Sequence, residues 1–350
     1  MTLVKAYAAQ QADKPLAPFQ LDRRIPGEND VEIEILFCGV CHTDIHMTRN
    51  EWGSSIYPMV PGHEIVGKIS KVGADVTKHK VGDTVGVGCF VDSCGHCANC
   101  EDDLEQYCEN GNSATYGSYL QDKQTITYGG YSTHIVVTEN FVLKVSDKLD
   151  LSAVAPLLCA GITTYSPLKH WNVKKGDKVG VVGLGGLGHM AVKLAASMGA
   201  EVTMLSRSAD KAKDAERLGA HHFELTTNPE NMQKLANSFH LIINTVSAKH
   251  DYNEYLALLK TDGVMVLLGV PAEALPVHAG SLIFGRKSLV GSLVGGIKET
   301  QEMLDYCAAH NIVSDVEMIN IDQINEAYER TLKGDVHYRF VIDMKSLKNS

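Results

Sequence analysis

Four cysteines lie close together in the stretch DSCGHCANCEDDLEQYC, with the spacing C-x2-C-x2-C-x7-C. Two cysteines separated by two residues can direct both thiolates at one metal ion, while turn amides hydrogen-bond to the sulfurs. Four thiolates fill the tetrahedral shell of zinc, so such a site stabilises a loop and leaves no open position for chemistry. An iron–sulfur cluster uses similar spacing, and four buried free thiols are the remaining alternative. The predicted structural zinc ligands are Cys94, Cys97, Cys100 and Cys108.

Two more cysteines and a histidine lie in segments with distinctive neighbouring residues, far apart in the chain. Cys41 lies in FCGVCHTDIH, His63 in VPGHEIVGKI and Cys159 in APLLCAGITTY. Two cysteines and one histidine are the protein ligands of a catalytic zinc whose fourth position stays open. Composition and spacing alone do not pair residues from three distant segments.

A glycine motif in VVGLGGLGH suggests a nucleotide site. Gly183, Gly185 and Gly188 follow an apolar strand and open a helix with apolar periodicity. In that context the backbone can approach a pyrophosphate at the helix N-terminus. A glycine-rich turn that binds no ligand is the alternative.

The residues after the next strand indicate which dinucleotide is bound. Where an NAD-binding chain places Asp or Glu to hold the ribose 2′-hydroxyl, this chain has Ser206, Arg207 and Ser208, followed by Lys211. Hydroxyls and cations suit a 2′-phosphate, so the sequence predicts NADP(H). A solvated loop that contacts no cofactor is the alternative.

The elements that must position these residues form two groups. In the first half, short strands end at Gly, Asp or Asn, as in DVEIEILFCGV, EIVGKISKVG, DTVGVGC and YSTHIVV, which predicts a β-rich domain. From about residue 152, apolar strands alternate with helical stretches, a pattern typical of βαβ units and a parallel sheet. After about residue 295 come two helices and a closing strand, RFVID, which can return to the first domain.

Composition restricts the class of protein and its partners. The chain has 350 residues, 44 % of them apolar, which is typical of about two soluble globular domains. A net charge of -10 without a Lys/Arg block argues against nucleic acid or an anionic membrane as partner, and favours a small molecule. No window reaches the length of an apolar membrane span, and no secretory leader is recognisable, so a cytoplasmic location is predicted. Nine cysteines in a reducing compartment favour metal over disulfides.

The whole chain resembles the zinc-dependent medium-chain alcohol dehydrogenases, and within them the cinnamyl-alcohol dehydrogenase branch with its bacterial aldehyde reductases. The resemblance is carried, in order, by CGVCHTD, PGHEIVG, the four-cysteine lobe, GGYSTH, APLLCAGITTYSPL, GLGGLGHMAVKLA and DVHYRFVID. It implies an α/β fold with a GroES-like catalytic domain over 1–151 that carries the structural zinc lobe. A Rossmann domain with a doubly wound parallel sheet would follow over 152–294, and 295–350 would return to the catalytic domain.

The same resemblance implies roles for individual residues. Cys41, His63 and Cys159 would bind the catalytic zinc, with Glu64 as an alternative ligand. Thr43 and His46 would relay the proton between product and solvent. The residues implied to hold NADP(H), besides those already named, are Leu184, Gly186 and Leu187 of the glycine loop, and Thr163, Thr245, Gly269, Ser292, Leu293 and Val294 near the nicotinamide.

The predicted function is the reversible, zinc-dependent reduction of aldehydes to primary alcohols by NADPH. Plant members of the branch carry aromatic residues where this chain has Ser113 and Leu293, which favours a broad range of aromatic and medium aliphatic aldehydes, cinnamaldehyde-like ones included. Two alternatives are an NAD-dependent secondary-alcohol or polyol dehydrogenase, and a catalytically silent NADPH-binding or redox-sensing protein of the same fold. The resemblance also suggests a homodimer.

Overall fold

The computed structural model describes residues 2–348, which divide into two compact units. Unit 1 contains the chain up to Ile162 and again from Gly295 onward, and unit 2 is Thr163–Val294. The first division therefore falls later than the sequence-based boundary at 151–152. Its physical reason is packing: Gly86 has no side chain, and a Cβ there would lie 3.0 Å from a methyl of Leu158. The segment before Cys159 is thereby held against the strands of unit 1.

Seventeen strands occur within residues 2–348. In chain order they are β1 (Thr2–Ala8), β2 (Ala17–Arg23), β3 (Asp30–Gly39), β4 (Ile65–Val72), β5 (Thr84–Val87), β6 (Phe90–Asp92), β7 (Ser113–Ala114), β8 (His134–Thr138), β9 (Leu143–Lys144), β10 (Lys178–Val182), β11 (Glu201–Ser206), β12 (His222–Leu225), β13 (Phe239–Asn244), β14 (Leu259–Leu267), β15 (Ser288–Gly291), β16 (Val316–Ile319) and β17 (Arg339–Asp343).

The α-helices of the same range are mostly short. They are α1 (His42–Thr48), α2 (Ala98–Glu101), α3 (Leu151–Val154), α4 (Ala160–His170), α5 (Gly188–Ser197), α6 (Ala212–Arg217), α7 (Pro229–Lys234), α8 (Tyr252–Leu256), α9 (Ala279–Ile283), α10 (Ile297–His310), α11 (Ile324–Leu332) and α12 (Lys345–Lys348). Among these residues no individual helix has the length and apolar content of a membrane span; by those two criteria alone, one bent pair, Leu151–Leu158 with Ala160–His170, meets the test.

The main sheet of unit 1 has seven strands in the order β16-β17-β3-β4-β5-β9, with β8 also paired to β3. Its strands are antiparallel except for the parallel pair β16 and β17. At the end of β3, Cys38 pairs with Ile342 of β17 on one side and with Ile65 of β4 on the other. The chain segments that lead into Cys41 and out of Glu64 therefore meet at one place in the sheet.

Unit 2 contains a six-stranded parallel sheet in the order β12-β11-β10-β13-β14-β15. Strands such as KVGVV and FHLIIN are almost continuously apolar, as expected for strands covered on both faces. The strand order reverses between β10 and β13, and ligands of such sheets bind outside the carboxyl ends of the strands at this point. The GroES-like and Rossmann fold class is confirmed.

Most predicted elements are present, with two kinds of difference. The four strands predicted in the first half are β3, β4, β5 and β8, and RFVID is β17. Among the helical stretches predicted after about residue 152, the one in DYNEYLALLKT ends at Leu256, because Leu259 already pairs with Phe239 in the parallel sheet. Seven strands were not predicted, namely β1, β2, β6, β7, β9, β12 and β16.

Candidate active site

A buried cluster in unit 1 brings together the residues that the sequence could not pair. Cys41, His63, Glu64 and Cys159 each place one potential ligand atom within 4.8 Å of the others. The sulfurs of Cys41 and Cys159 are 3.9 Å apart. Two sulfurs on one tetrahedral zinc ion are separated by about 3.8 Å, given zinc–sulfur bonds of about 2.3 Å. The donor types and this spacing fit a zinc ion.

Local structure explains how each donor reaches the cluster. Cys41 follows β3 and is the N-cap residue of α1, where its extended backbone turns the chain into the helix. His63 and Glu64 immediately precede β4. Cys159 lies at the break between a 3-10 turn and α4. Three separate chain turns therefore deliver the four donors.

Asp44 organises the cluster without belonging to it. This fully buried carboxylate accepts hydrogen bonds from the backbone N–H of Cys41 (2.9 Å) and of Gly62 (3.1 Å). Its oxygens also lie 3.2 Å from Nδ1 of His63 and 3.4 Å from the hydroxyl of Tyr131. A carboxylate on one ring nitrogen fixes the imidazole tautomer and leaves Nε2 for a metal. This role was not predicted from the sequence, although an acidic residue three positions after Cys41 matches a helix capping pattern.

Glu64 is held from a distant part of the chain. One of its oxygens, Oε1, accepts a hydrogen bond from the guanidinium of Arg339 in β17, and both side chains are buried. The other, Oε2, has no hydrogen-bond partner within residues 2–348. Space for it exists only because residue 39 is glycine, since a Cβ there would lie 1.9 Å from Oε2. A buried carboxylate oxygen without a partner is costly in an empty site and suits a cationic ligand. Arg339 was also missed, because no local pattern links residues so far apart.

Electrostatics in the cluster favour a metal-binding form of Cys41. A hydrogen bond from the Cys159 thiol has the largest effect on the pKa of Cys41 and lowers it well below its usual value, although burial acts in the opposite direction. The positive charge of the Arg339 guanidinium also lowers the pKa of Cys41. Burial raises the pKa of Glu64 to about 7, against the opposing charge of Arg339. The thiolate is the form that binds metals.

The two predicted relay residues lie on α1, directly after Cys41. Thr43 is partly exposed and occupies the first turn of the helix. His46 is also partly exposed, and its Nδ1 is 2.5 Å from Oε2 of Glu51. This contact orients the imidazole and leaves Nε2 available for proton exchange.

The four-cysteine lobe forms a second donor set in unit 1. The sulfurs of Cys94, Cys97, Cys100 and Cys108 lie within 4.8 Å of one another. The backbone N–H of Cys94 donates to the Cys108 sulfur, and the backbone N–H of Glu109 donates to the Cys97 sulfur. The nitrogen–sulfur distance is 3.4 Å in both contacts. These are the amide contacts that stabilise thiolates around a structural metal. Four sulfurs at these distances fit zinc with a closed shell.

Thiolate formation in the lobe has a local cause. The backbone N–H of His96 lowers the pKa of Cys94 to about 6. The lobe is also fixed to the returning segment of unit 1, because Glu105 accepts a hydrogen bond from the Ile297 N–H (3.1 Å) and Asp103 pairs with Lys298 (2.7 Å). Loss of metal from this loop would therefore disturb its contacts with the start of α10.

The glycine loop of unit 2 has the geometry that a pyrophosphate requires. Gly183 has a φ of +89°, which side chains rarely adopt, and a Cβ on Gly188 would lie 1.9 Å from the Gly183 carbonyl oxygen. Around Gly185 there is open space, with no atom within 4 Å of the position of a Cβ. The loop, including Leu184, Gly186 and Leu187, connects β10 to the N-terminus of α5. This open backbone at a helix N-terminus fits the phosphates of a dinucleotide.

The residues predicted to select NADP(H) lie at the carboxyl end of β11. Ser206 is the last residue of that strand, and its hydroxyl oxygen accepts a hydrogen bond from the Ser208 N–H (3.2 Å). Arg207 and Ser208 are exposed, and Lys211 ends the following 3-10 turn. No carboxylate occupies the strand end, where one would repel a 2′-phosphate.

The remaining predicted cofactor residues follow other strands of the same sheet. Thr245 comes after β13 and donates through Oγ1 to the Val182 carbonyl (2.8 Å), while Gly269 follows β14. Ser292, Leu293 and Val294 follow β15. Parallel strands place their carboxyl ends at one edge, so these residues share an edge with the glycine loop. Thr163 is instead buried within α4.

Ser113 does not line an open pocket. It lies in β7 with no exposed surface, and its hydroxyl accepts a hydrogen bond from Nε2 of Gln121 (3.2 Å). Leu293, the other position where the plant members carry an aromatic residue, is 53 % exposed. The sequence-based prediction of a broad range of aldehydes therefore receives no support from Ser113.

Comparison with known protein families matches both units. The family described as "Alcohol dehydrogenase GroES-like domain" matches residues 27–147. The family described as "Zinc-binding dehydrogenase" matches residues 186–309. The first match includes Cys41, His63 and the lobe. The second match begins within the glycine loop and includes the strands of the parallel sheet that follow it.

Individual relatives extend over the whole chain. It is 56 % identical to "NADP-dependent alcohol dehydrogenase C 1" of Mycolicibacterium smegmatis, with 100 % of both chains aligned. It is 54 % identical to "Aldehyde reductase YahK" of Escherichia coli, over 98 % of this chain and 99 % of the relative. Among solved structures, a cinnamyl alcohol dehydrogenase of Sorghum bicolor has a TM-score of 0.96 at 45 % identity, covering 98 % of each chain.

Proposed function

This chain belongs to the zinc-binding alcohol dehydrogenase family, and we propose that it reduces aldehydes at the cluster of Cys41, His63 and Cys159. Its relatives are NADP-dependent alcohol dehydrogenases and aldehyde reductases, and it is an enzyme of that kind. The observation that carries the assignment of residues is the buried donor set, in which Glu64 Oε2 has no partner within the described chain.

Each part of the cluster has its own task in the proposal. When bound, zinc supplies Lewis acidity toward the carbonyl oxygen, and NADPH supplies the hydride. Asp44 holds the His63 ring through Nδ1 and so directs Nε2 toward the two cysteine sulfurs. Arg339 anchors Glu64 through Oε1 and so keeps its carboxylate beside the same sulfurs. Cys41, His63 and Cys159 would hold the zinc ion and would leave its fourth position free for a substrate oxygen.

The alcohol product needs a proton on its oxygen. Thr43 follows the ligand Cys41 by two residues and is the nearest hydroxyl in sequence that can deliver one. His46, three residues further along α1, exchanges the proton with solvent at Nε2 while Glu51 holds Nδ1. In the oxidation direction the same groups remove the proton.

For His46→Ala we expect kcat to fall by roughly a hundredfold, which is the low end of general acid–base effects. The pH profile of kcat should change as well, because the group proposed to exchange the proton with solvent is gone. Thr43→Val should lower kcat further, since Thr43 is the closer of the two to the substrate. Steady-state kinetics from acidic to alkaline pH measure both effects.

The matched control is His310→Ala, which removes another histidine near a helix C-terminus, where it stacks on Tyr306. This variant should retain the kinetics and pH profile of the wild type. If His46→Ala did the same, His46 would be a surface histidine without a part in proton transfer.

Cofactor choice gives a second prediction. A charge-assisted hydrogen bond is worth about 1.5–3 kcal/mol, so one cation, Arg207 or Lys211, can provide about a ten- to hundredfold preference for NADPH. Solvent and salt reduce this for the exposed Arg207. We therefore expect kcat/KM with NADPH to exceed that with NADH by at least about tenfold. Ser206→Asp should erase or reverse the preference by repelling the phosphate and accepting from the ribose hydroxyls.

Ser206→Ala removes the hydroxyl without adding a negative charge, and this variant should keep most of the preference for NADPH. Added salt should weaken NADPH use more than NADH use, because only NADPH depends on the extra charge. Equal kcat/KM values for the two cofactors in the wild-type enzyme would contradict the proposed 2′-phosphate site.

The substrate class remains part of the proposal. We propose aromatic and medium aliphatic aldehydes, cinnamaldehyde-like compounds included, supported by the likeness to an aldehyde reductase and to a cinnamyl alcohol dehydrogenase. A panel of aldehydes of both kinds, assayed by NADPH consumption, measures the range. Activity confined to ketones or polyols would favour the secondary-alcohol alternative.

The silent NADPH-binding alternative makes a different prediction about metal. A working enzyme of this family is expected to hold zinc at both donor sets, whereas a silent relative lacks the catalytic ion. Metal analysis of the purified chain separates the two. The homodimer and the cytoplasmic location stay predictions, and sedimentation of the purified protein measures the first.

A further inference from the structure

A third sulfur lies beside the two of the Cys41, His63 and Cys159 cluster and takes no part in the proposed chemistry. Cys89 connects β5 to β6 and is partly exposed, whereas Cys41 and Cys159 are only 9 % and 8 % exposed. It belongs to neither of the two donor sets. Cys89 is thus the accessible thiol next to a buried group of sulfurs.

Two observations bring Cys89 close to Cys159. The Cys89 thiol is 3.7 Å from the Leu158 carbonyl oxygen, which belongs to the peptide group that precedes Cys159. A Cβ on Gly88 would lie 3.1 Å from that same oxygen, so the two backbones touch. A disulfide requires two cysteines whose backbones lie close together, and these contacts place Cys89 beside the backbone that carries Cys159.

We propose that Cys89 and Cys159 form a reversible disulfide when the protein is exposed to a peroxide, and that this bond removes Cys159 from the metal-binding cluster. Cys89 now points at the Leu158 carbonyl. For the disulfide to form, this sulfur turns from the Leu158 oxygen toward the sulfur of the next residue, Cys159.

The reaction balances with the peroxide as the only oxidant. The Cys89 sulfur attacks the O–O bond of hydrogen peroxide, which gives a sulfenic acid and one water molecule. The Cys159 sulfur then attacks the Cys89 sulfur, and the sulfenic oxygen leaves as a second water molecule. Two thiols lose two electrons and two protons, and the peroxide takes up both. A dithiol reductant reverses the reaction by thiol–disulfide exchange.

Among Cys41, Cys89 and Cys159, Cys89 reacts first because it is the most accessible to a peroxide in solvent. Cys41 and Cys159 are close enough for a direct disulfide, with sulfurs 3.9 Å apart, but both are buried and both are proposed metal ligands. Cys89 is partly exposed and so offers more surface to a peroxide in solvent than either of the other two. After the bond forms, only Cys41 and His63 remain of the three proposed ligands, while the four sulfurs of the lobe are unchanged.

The experiment uses zinc-loaded full-length protein treated with hydrogen peroxide. Free thiols are then blocked by alkylation, and the protein is digested and analysed by mass spectrometry. We expect a peptide pair linked through Cys89 and Cys159, release of one zinc ion per chain, and recovery of the zinc site after dithiothreitol and added zinc. The linked peptide requires no assay of activity, so it is independent of the proposed reaction.

Two variants sharpen the result. Cys89→Ser should release zinc from the cluster at least about tenfold more slowly under the same peroxide, since its first oxidised thiol is missing. Cys307→Ser removes a buried cysteine that contacts Met303 in α10, and it should behave as the wild type. Absence of the Cys89–Cys159 peptide from the oxidised wild type, or equally fast zinc release from Cys89→Ser, would overturn the proposal. Detection of a Cys41–Cys159 peptide in place of the expected one would overturn it as well.

Discussion

Turnover is expected to fall by at least about a thousandfold when Cys159 is replaced with alanine, because Lewis-acid stabilisation is worth several kcal/mol and each 1.36 kcal/mol is a factor of ten. Of the three proposed ligands only Cys41 and His63 remain, with Glu64 beside them, and this set no longer supplies the two sulfurs of the proposed zinc site. NADPH binding should survive almost unchanged, since the glycine loop belongs to unit 2 and Cys159 to unit 1. Steady-state kinetics and a fluorescence titration with NADPH measure the two properties separately.

Cys38→Ala is the matched control for this variant. Cys38 is fully buried, three residues before Cys41, and its thiol donates only to the neighbouring Gly39 carbonyl (3.7 Å). Removing it takes away the same atom close to the cluster without removing a proposed ligand. Cys38→Ala should keep most of its activity and all of its zinc. Activity of Cys159→Ala within tenfold of the wild type would show that Cys159 is not a ligand of a working metal site.

Cys97→Ser is expected to lower the melting temperature by about 10 °C, at a few degrees for each kcal/mol lost. Metal affinity at a closed site is folding free energy, and three sulfurs hold zinc much less tightly than four. The variant should contain one zinc ion fewer per chain than the wild type. Any loss of activity should parallel the loss of folded protein, because the lobe has no open metal position. Calorimetry and metal analysis of the same sample test both expectations.

The control here is Cys307→Ser, the same substitution at a buried cysteine of α10 outside both donor sets. It should retain both zinc ions and lose only the small amount of stability that a buried hydroxyl costs. A Cys97→Ser protein with the zinc content and melting temperature of the wild type would contradict a structural zinc in the lobe.

The sequence predicts well whatever depends on local spacing. The lobe cysteines could be assigned from their separations alone, since two thiolates in one short turn reach the same ion. The strand before Gly183 and the helix after Gly188 follow from apolar periodicity. Both lie where the pattern indicates, in β10 and α5.

Contacts between distant segments could not be predicted in the same way. Cys41, His63 and Cys159 were grouped as ligands of one ion only through resemblance. Their spacing in the sequence does not indicate that three turns meet at one end of β3 and β4. The pair of Glu64 and Arg339 depends on β17 lying beside β3, which is a property of the sheet and not of either segment. Asp44 had a local signal as a helix-capping residue, but its bond to His63 is visible only after the chain has folded.

The pairing of β17 with β3 also has a consequence for the newly made chain. Unit 1 consists of two stretches separated by the whole of unit 2, so the ribosome delivers Cys41, His63 and Cys159 well before Arg339. At about 5–20 residues per second, the intervening chain takes on the order of ten seconds to emerge. During that time the edge of β3 lacks its partner strand, and Glu64 lacks its cation. An unpaired edge is a template for other chains, so aggregation during synthesis is most strongly favoured before the final strand arrives, while the continuous unit 2 is already free to fold.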